Sequence, residues 1–262
     1  MMGDTGDSEE ETHDEKSQNG NRDRYEINSW ERRTLFDWIA YLVYNLSVMG
    51  LRVVLVGIGI FVLLIHIVLF GLGILINPLV AVFTVLSVVP ALFIAFYIWD
   101  SDATEKEPFS LLMVTFLLGM AFAGIPSIIY LNVMPSEYFY IQGYINMDIG
   151  GAQLVSIGVF FFIVVAPVEE LVKWFAVRSY AYYDDSFKNA MDGAVYGAFA
   201  GLGFATVENS FYMSNQLINS TSSGLLIQTS VSRALAGPLH VVFSAVAGYY
   251  LGLAVTSKED RG

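Results

Sequence analysis

The chain has 262 residues, 55% of them hydrophobic, with a formal net charge of −12 and a mean hydropathy of +0.56. A water-soluble domain sits nearer ~45–50% apolar, so this composition excludes an ordinary soluble globule and points to a polytopic membrane protein. The lack of cysteine excludes disulfides, thiolate catalysis and cysteine-based zinc sites, and the three histidines (His13, His66 and His240) supply neither HExxH nor another paired-histidine motif.

Acidic residues crowd positions 1–33, which have no periodic apolar face and are expected as a disordered acidic cytoplasmic tail. The segment lacks an apolar h-region and does not read as a signal peptide. So acidic a chain, with only five lysines, suits a high-salt cytoplasm or a simple solvated tail, and no nucleic-acid partner is expected. Residues 34–50, TLFDWIAYLVYNLSVMG, are rich in Trp and Tyr and interrupted by Asp37 and Asn45, which predicts an interfacial amphipathic helix, with a true span as the alternative.

A transmembrane domain is expected over 51–256. About 20 apolar residues cross a ~30 Å hydrocarbon core as helix. Six segments qualify: 53–76, 79–99 after the Asn77-Pro78 break, 109–131, 151–177, 190–213 and 231–255. Gly124 and Pro126 invite a bend in the third. The fold class is therefore all-α, a bundle of about six transmembrane helices plus the interfacial helix. With the N-terminus inside, Arg32, Arg33, Arg52, Lys106, Arg178, Lys188, Lys258 and Arg261 fall inside, while loops 132–148 and 213–230 carry no Lys or Arg. That asymmetry predicts a multi-pass protein of the cell membrane with both termini cytoplasmic. The tripeptide Asn219-Ser220-Thr221 would then lie outside as a glycosylation sequon. The two halves share no broken helices in matching places, which weakens a transporter reading.

An ionised side chain in hydrocarbon costs at least ~2.5–3.5 kcal/mol, so charged residues inside spans require a reason. FFIVVAPVEELVKWFAV carries Glu169, Glu170 and Lys173. Lysine at i+4 and i+3 reaches either carboxylate. Gly193, Gly197 and Gly201 repeat every four residues and make a face for close backbone approach. Glu208, beside Asn209, lies two turns beyond Gly201 on that same face. Arg233, His240 and Ser244 form a stripe on the last helix, although Arg233 also suits the outer interface. A Glu–Lys pair alone is as readily structural as functional. Several polar clusters on three consecutive helices favour function. Asp192 reads first as a helix cap, and His66 as a satisfied interior or interfacial histidine.

Vicinal carboxylates near an imidazole suit activation of water: burial raises a carboxylate's basicity, and an imidazole or amide can meet a developing oxyanion. A zinc ion is the possible cofactor, held by His240 with two carboxylates from among Glu169, Glu170 and Glu208, of which Glu208 and Glu169 come first. A single histidine without cysteine is an uncommon zinc set, which leans the chemistry towards a metal-free glutamate mechanism. Span counting puts Glu169 toward the inner side and Glu208 toward the outer, so one site requires a bend, such as Pro167 invites.

APVEELVKWFAV, DGAVYGAFAGLGFATVENSFY and RALAGPLHVVFSAVAGYYLG, in this order, resemble the PrsW family of intramembrane proteases. YIWDSDATEKEPFSLLMVTFLLG looks like that family's upstream loop and helix. The resemblance covers residues 79–255, and EExxK with GxGFAxxEN is specific in combination. More distantly the chain is similar to CAAX-processing membrane proteases. The resemblance implies a polytopic endopeptidase, often called a metalloprotease, acting on membrane-protein substrates in the lipid bilayer. It places the family's motifs on Glu169 and Glu170, on Glu208 and Asn209, and on His240. The expected roles are Glu169 as general base tuned by Glu170 and Lys173, His240 and Asn209 at the oxyanion, and Glu208 orienting His240 or binding metal. The rivals are a proton-coupled transporter or channel using buried Glu and His, and an inactive peptidase-like scaffold.

Overall fold

The computed structural model describes residues 34–103, 105–126, 158–219 and 223–259. The acidic tail expected at 1–33 and the outer loop expected at 132–148 lie outside them. All regular structure among the described residues is helical: α1 (Leu35–Ile76), α2 (Leu79–Ser101), α3 (Phe109–Phe122), α4 (Ala166–Ser179), α5 (Ala190–Asn219) and α6 (Ser223–Glu259). Five helical stretches are long and apolar enough to cross a membrane: Leu35–Ile76, Leu79–Ser101, Phe109–Pro126, Ala190–Gln216 and Gly224–Thr256. The remaining expected span is helical over its described part, 158–179, but Glu169, Glu170 and Lys173 make it too polar to qualify on composition.

The separate helix expected at 34–50 is instead the N-terminal half of the 42-residue α1. Gly50 and Arg52 do not interrupt the backbone ladder, because a single glycine weakens a helix without ending it. Asp37 completes a capping box: its Oδ2 accepts from the Thr34 amide at 2.8 Å and its own amide donates to Thr34 Oγ1 at 3.2 Å. Asn45 Nδ2 donates back to the Tyr41 carbonyl at 3.0 Å. At 1.5 Å per residue α1 is roughly 63 Å long, about twice the hydrocarbon core.

α5 is the central helix and touches each of the other five. Of its apolar window 83% is buried, against 6% for α1, whose large apolar side chains mostly face outward. In α1 the inward stripe is Gly59, Val62, His66 and Gly73, at helical spacing. His66 Nε2 meets Ser210 Oγ of α5 at 2.6 Å, so it is a satisfied interior histidine. The bend expected at Gly124 and Pro126 falls at Ala123, where α3 ends in a turn before helix resumes over 124–126.

Small residues set the α5 packing. Side chains added at Gly193 and Gly197 would run into the carbonyls of Gly248 and Ser244 on α6, and at Gly203 into that of Phe116 on α3. A Cβ at Gly201 would stand 2.5 Å from the His240 carbonyl oxygen and 2.8 Å from Ser244 Oγ. This backbone-on-backbone approach fixes which residues of α6 face Glu208. Asn189 is the N-cap of α5, its Oδ1 accepting from the Met191 and Asp192 amides at 2.7 and 3.2 Å. Asp192 reciprocates, accepting from the Lys188 and Asn189 amides at 2.5 and 2.9 Å. It is thus the inner partner of a capping box rather than the cap itself.

Candidate active site

The site begins with a fault in a helix. Pro167 has no N–H, and just before it the ladder widens: Ala166 N–H bonds to the carbonyl of Phe161, five residues back, in a π-turn over Phe161–Val165. One extra residue in the turn rotates everything after it by roughly 100°. Glu169, Glu170 and Lys173 follow directly. Lys173 is 1% exposed, and its Nζ lies 2.5 Å from Glu170 Oε1, 3.0 Å from His240 Nδ1 and 4.6 Å from the centroid of the Phe204 ring. The second oxygen of Glu170 accepts from Ser244 Oγ at 3.3 Å. A buried ammonium is thereby offset by a carboxylate, an imidazole nitrogen and an aromatic face.

α5 and α6 supply the other half. His240 Nε2 stands 2.7 Å from Glu208 Oε2, and the guanidinium of Arg233 pairs with the same oxygen. Arg233 Nε donates to Asn209 Oδ1 at 2.8 Å, and the guanidinium lies 4.3 Å from the centroid of Tyr212. Asn209 Nδ2 in turn donates to the Ser87 carbonyl of α2 at 3.2 Å. Facing a carboxylate at Nε2 and an ammonium at Nδ1, the imidazole carries its proton on Nε2 and accepts at Nδ1. Glu169 Oε2 is 3.8 Å from Nδ1.

All six residues singled out from the sequence thus fall in one cluster. The inner and outer carboxylates meet because His240 lies between them with one nitrogen turned toward each. Asn209 holds a different place from the one expected. It is fully buried with its amide engaged at both ends, so it positions Arg233. Arg233 and Ser244 were not among the expected site residues, and their signal was the stripe they share with His240. Asp192 and His66 lie apart from the cluster.

A helical bundle of membrane-spanning length, with a carboxylate–imidazole–ammonium cluster drawn from three of its helices, describes a multi-pass membrane protein. Comparison with known proteins narrows the class. The family model described as PrsW family intramembrane metalloprotease matches residues 107–262. "Protease PrsW" of Geobacillus kaustophilus (strain HTA426) is 32% identical over 176 residues, 66% of this chain and 67% of that one. Its namesake in Clostridioides difficile (strain 630) is 32% identical over 167 residues, 63% of each chain, and that in Bacillus subtilis (strain 168) is 27% identical over 172 residues, 66% and 68%. The chain therefore spans about two thirds of the length of these relatives. No solved structure matches. The chain belongs to the PrsW family of intramembrane metalloproteases, and so to the peptide hydrolases.

The family's description includes a metal, and the donor set here can be tested for one. Glu169 and Glu208 face different nitrogens of His240, and each nitrogen already has a cationic group beside it: Lys173 Nζ at 3.0 Å and Arg233 Nη2 at 3.5 Å. In this arrangement His240, Glu208 and Glu169 do not fit as the three ligands of one ion. Among the described residues, a group of three such side chains whose ligand atoms all lie within 4.8 Å of one another is formed by Asp102, Glu107 and Asp192.

Proposed function

We propose that the chain hydrolyses peptide bonds of membrane-protein substrates inside the bilayer with a water activated by Glu169. The observation that carries this is His240 suspended between the two acidic motifs, 2.7 Å from Glu208 and 3.8 Å from Glu169. Glu170 is held by Lys173 and Ser244, and Glu208 by Arg233 and His240. Glu169 is taken as the base because its Oε2 faces His240 Nδ1 at 3.8 Å, beside the Lys173 ammonium. Glu169 takes a proton from the water as its oxygen attacks the substrate carbonyl carbon. It then returns the proton to the amide nitrogen as the C–N bond breaks. Lys173 and Arg233, one beside each nitrogen of His240, supply the positive field that stabilises the oxyanion. Asn209 and Glu208 are positioning residues for Arg233 and His240.

The test is N-terminal peptide profiling of membranes from cells expressing the wild type or Glu169→Gln at matched levels. Membrane-protein fragments seen with the wild type alone support the proposal and identify the substrates. Identical profiles for wild type, Glu169→Gln and Glu170→Gln would refute it.

The same reading places the protein in the cell membrane with both termini cytoplasmic. Lys188 Nζ pairs with Glu105 at 2.7 Å, so the α2–α3 and α4–α5 loops share one end of the bundle, the end rich in Lys and Arg. Because the chain has no cysteine, single substitutions at Glu105 and Asp185 can be labelled without background. Labelling by an impermeant maleimide in intact cells would invert the topology.

A further inference from the structure

Three carboxylates outside the active site meet where the α2–α3 loop reaches the start of α5. Asp102 is the C-cap of α2, Glu107 lies in the loop just before α3, and Asp192 stands in the first turn of α5. They are 3%, 4% and 3% exposed. One ligand oxygen from each lies within 4.8 Å of the other two. Both oxygens of Glu107 are buried and have no hydrogen-bonding partner among the described residues. The nearby ammonium groups are turned elsewhere: Lys106 Nζ donates to the carbonyls of Trp99, Asp100 and Asp102 at 2.8 Å each, and Lys188 Nζ faces Glu105.

A buried carboxylate needs a donor, a counter-charge or a proton. With the neighbours present, burial and the adjacent Asp102 and Asp192 push the Glu107 carboxyl up to about 8. An all-oxygen, all-carboxylate donor set selects hard cations over zinc or copper. Calcium holds oxygens at about 2.3–2.6 Å, so two of its ligands stand at most roughly 5 Å apart, whereas the limit for magnesium is about 4.2 Å. Three oxygens within 4.8 Å of one another fit inside the coordination shell of calcium.

We propose that Asp102, Glu107 and Asp192 bind a hard divalent cation of calcium size, which ties the α2–α3 loop to the N-terminal end of α5. Asp192 Oδ2 accepts two backbone amides, so its remaining lone pairs complete the protein's share, with water filling the other positions. The site lies 16 residues before Glu208 on the same helix and stabilises the helix that carries the active-site carboxylate.

Glu107→Gln is the discriminating change, because an amide keeps the shape while removing the charge. Full-length protein in lipid nanodiscs is equilibrated with calcium, desalted and assayed for bound metal, in the wild type and in a His240→Ala background that disables the active-site imidazole. The expected result is about one equivalent of calcium in both, a thermal midpoint that rises with calcium, and at least a ~10-fold loss of binding in Glu107→Gln. Asp102→Asn serves as the second variant should Glu107→Gln not fold. Calcium content unchanged by both substitutions, or a wild-type midpoint indifferent to calcium and to chelator, would overturn the proposal and leave Glu107 holding a proton.

Discussion

Glu208→Gln is the sharpest perturbation of the site. The carboxylate accepts from His240 Nε2 at 2.7 Å and pairs with Arg233, and its side chain is 18% exposed. A glutamine of the same shape can turn its NH2 toward Nε2, which then has to accept, moving the imidazole proton to Nδ1. There it meets the Lys173 ammonium at 3.0 Å, donor against donor. A hydrogen bond to a charged group contributes about 1.5–3 kcal/mol, or roughly 10- to 150-fold in rate. The displaced tautomer adds to that, and a comparable carboxylate-to-amide change beside a catalytic histidine costs ~10⁴ in kcat in another hydrolase. The expected fall in kcat is therefore about 10²–10⁴-fold, with KM changed by less than ~3-fold because Glu208 acts through His240 and does not touch substrate. The assay is cleavage of a fluorogenic transmembrane peptide by protein reconstituted in nanodiscs. Arg233→Met combined with Glu208→Gln should recover stability, by removing the cation left unpaired, without recovering rate. A Glu208→Gln enzyme within ~3-fold of wild-type kcat would refute the assignment of His240's orientation to Glu208.

Lys173→Met should lower stability by about 1–3 kcal/mol, less than the ~3–5 kcal/mol of a fully buried pair, since it leaves the half-buried Glu170 without its ammonium. Denaturant titration should show Glu170→Gln/Lys173→Met less damaged than the sum of the single variants. Gly197→Leu should abolish the folded, detergent-resistant bundle, because its side chain meets the Ser244 carbonyl, whereas Gly57→Ala on α1, with nothing within 4 Å, should be neutral by the same gel assay. Asn189→Ala should cost about 1 kcal/mol by removing the α5 N-cap, while kcat per folded molecule stays unchanged.

The spans were legible because hydropathy over 20 residues reports a transfer energy, which does not depend on partners. The α1 boundary was not, since Asp37 and Asn45 read as interruptions and turned out to be a capping partner and a backbone-satisfied amide. Helical periodicity sufficed for the face shared by Gly201 and Glu208 and for the Arg233–His240–Ser244 stripe. What it cannot give is the register between helices. Arg233 reads as an interfacial arginine until α5 and α6 are docked through Gly193, Gly197 and Gly201, which sets it against Glu208. Asn209 was assigned to the oxyanion on its chemistry, yet its Nδ2 donates to the Ser87 carbonyl of α2, a helix far away in the chain, and its Oδ1 accepts from Arg233. The Asp102–Glu107–Asp192 cluster escaped notice for the same reason, its members being drawn from a cap, a loop and a first turn.

The charge balance of the active site explains why a membrane can hold it and why it is reactive. Glu169, Glu170 and Glu208 face two basic side chains, Lys173 and Arg233. An arrangement of equal opposite charges would be stable and chemically idle. On the proposed reading the excess carboxylate is the proton acceptor, and a proton taken from water moves the negative charge to the attacking oxygen, where Lys173 and Arg233 oppose it. This account makes Lys173 and Arg233 as necessary as the glutamates. A neutral replacement of either cation should slow cleavage more than its effect on stability explains. Arg233→Lys, which keeps the charge but loses the fork that spans Glu208 and Asn209, should retain more kcat than Arg233→Gln. Equal rates for those two Arg233 variants would show that geometry alone, and not charge, is what Arg233 contributes.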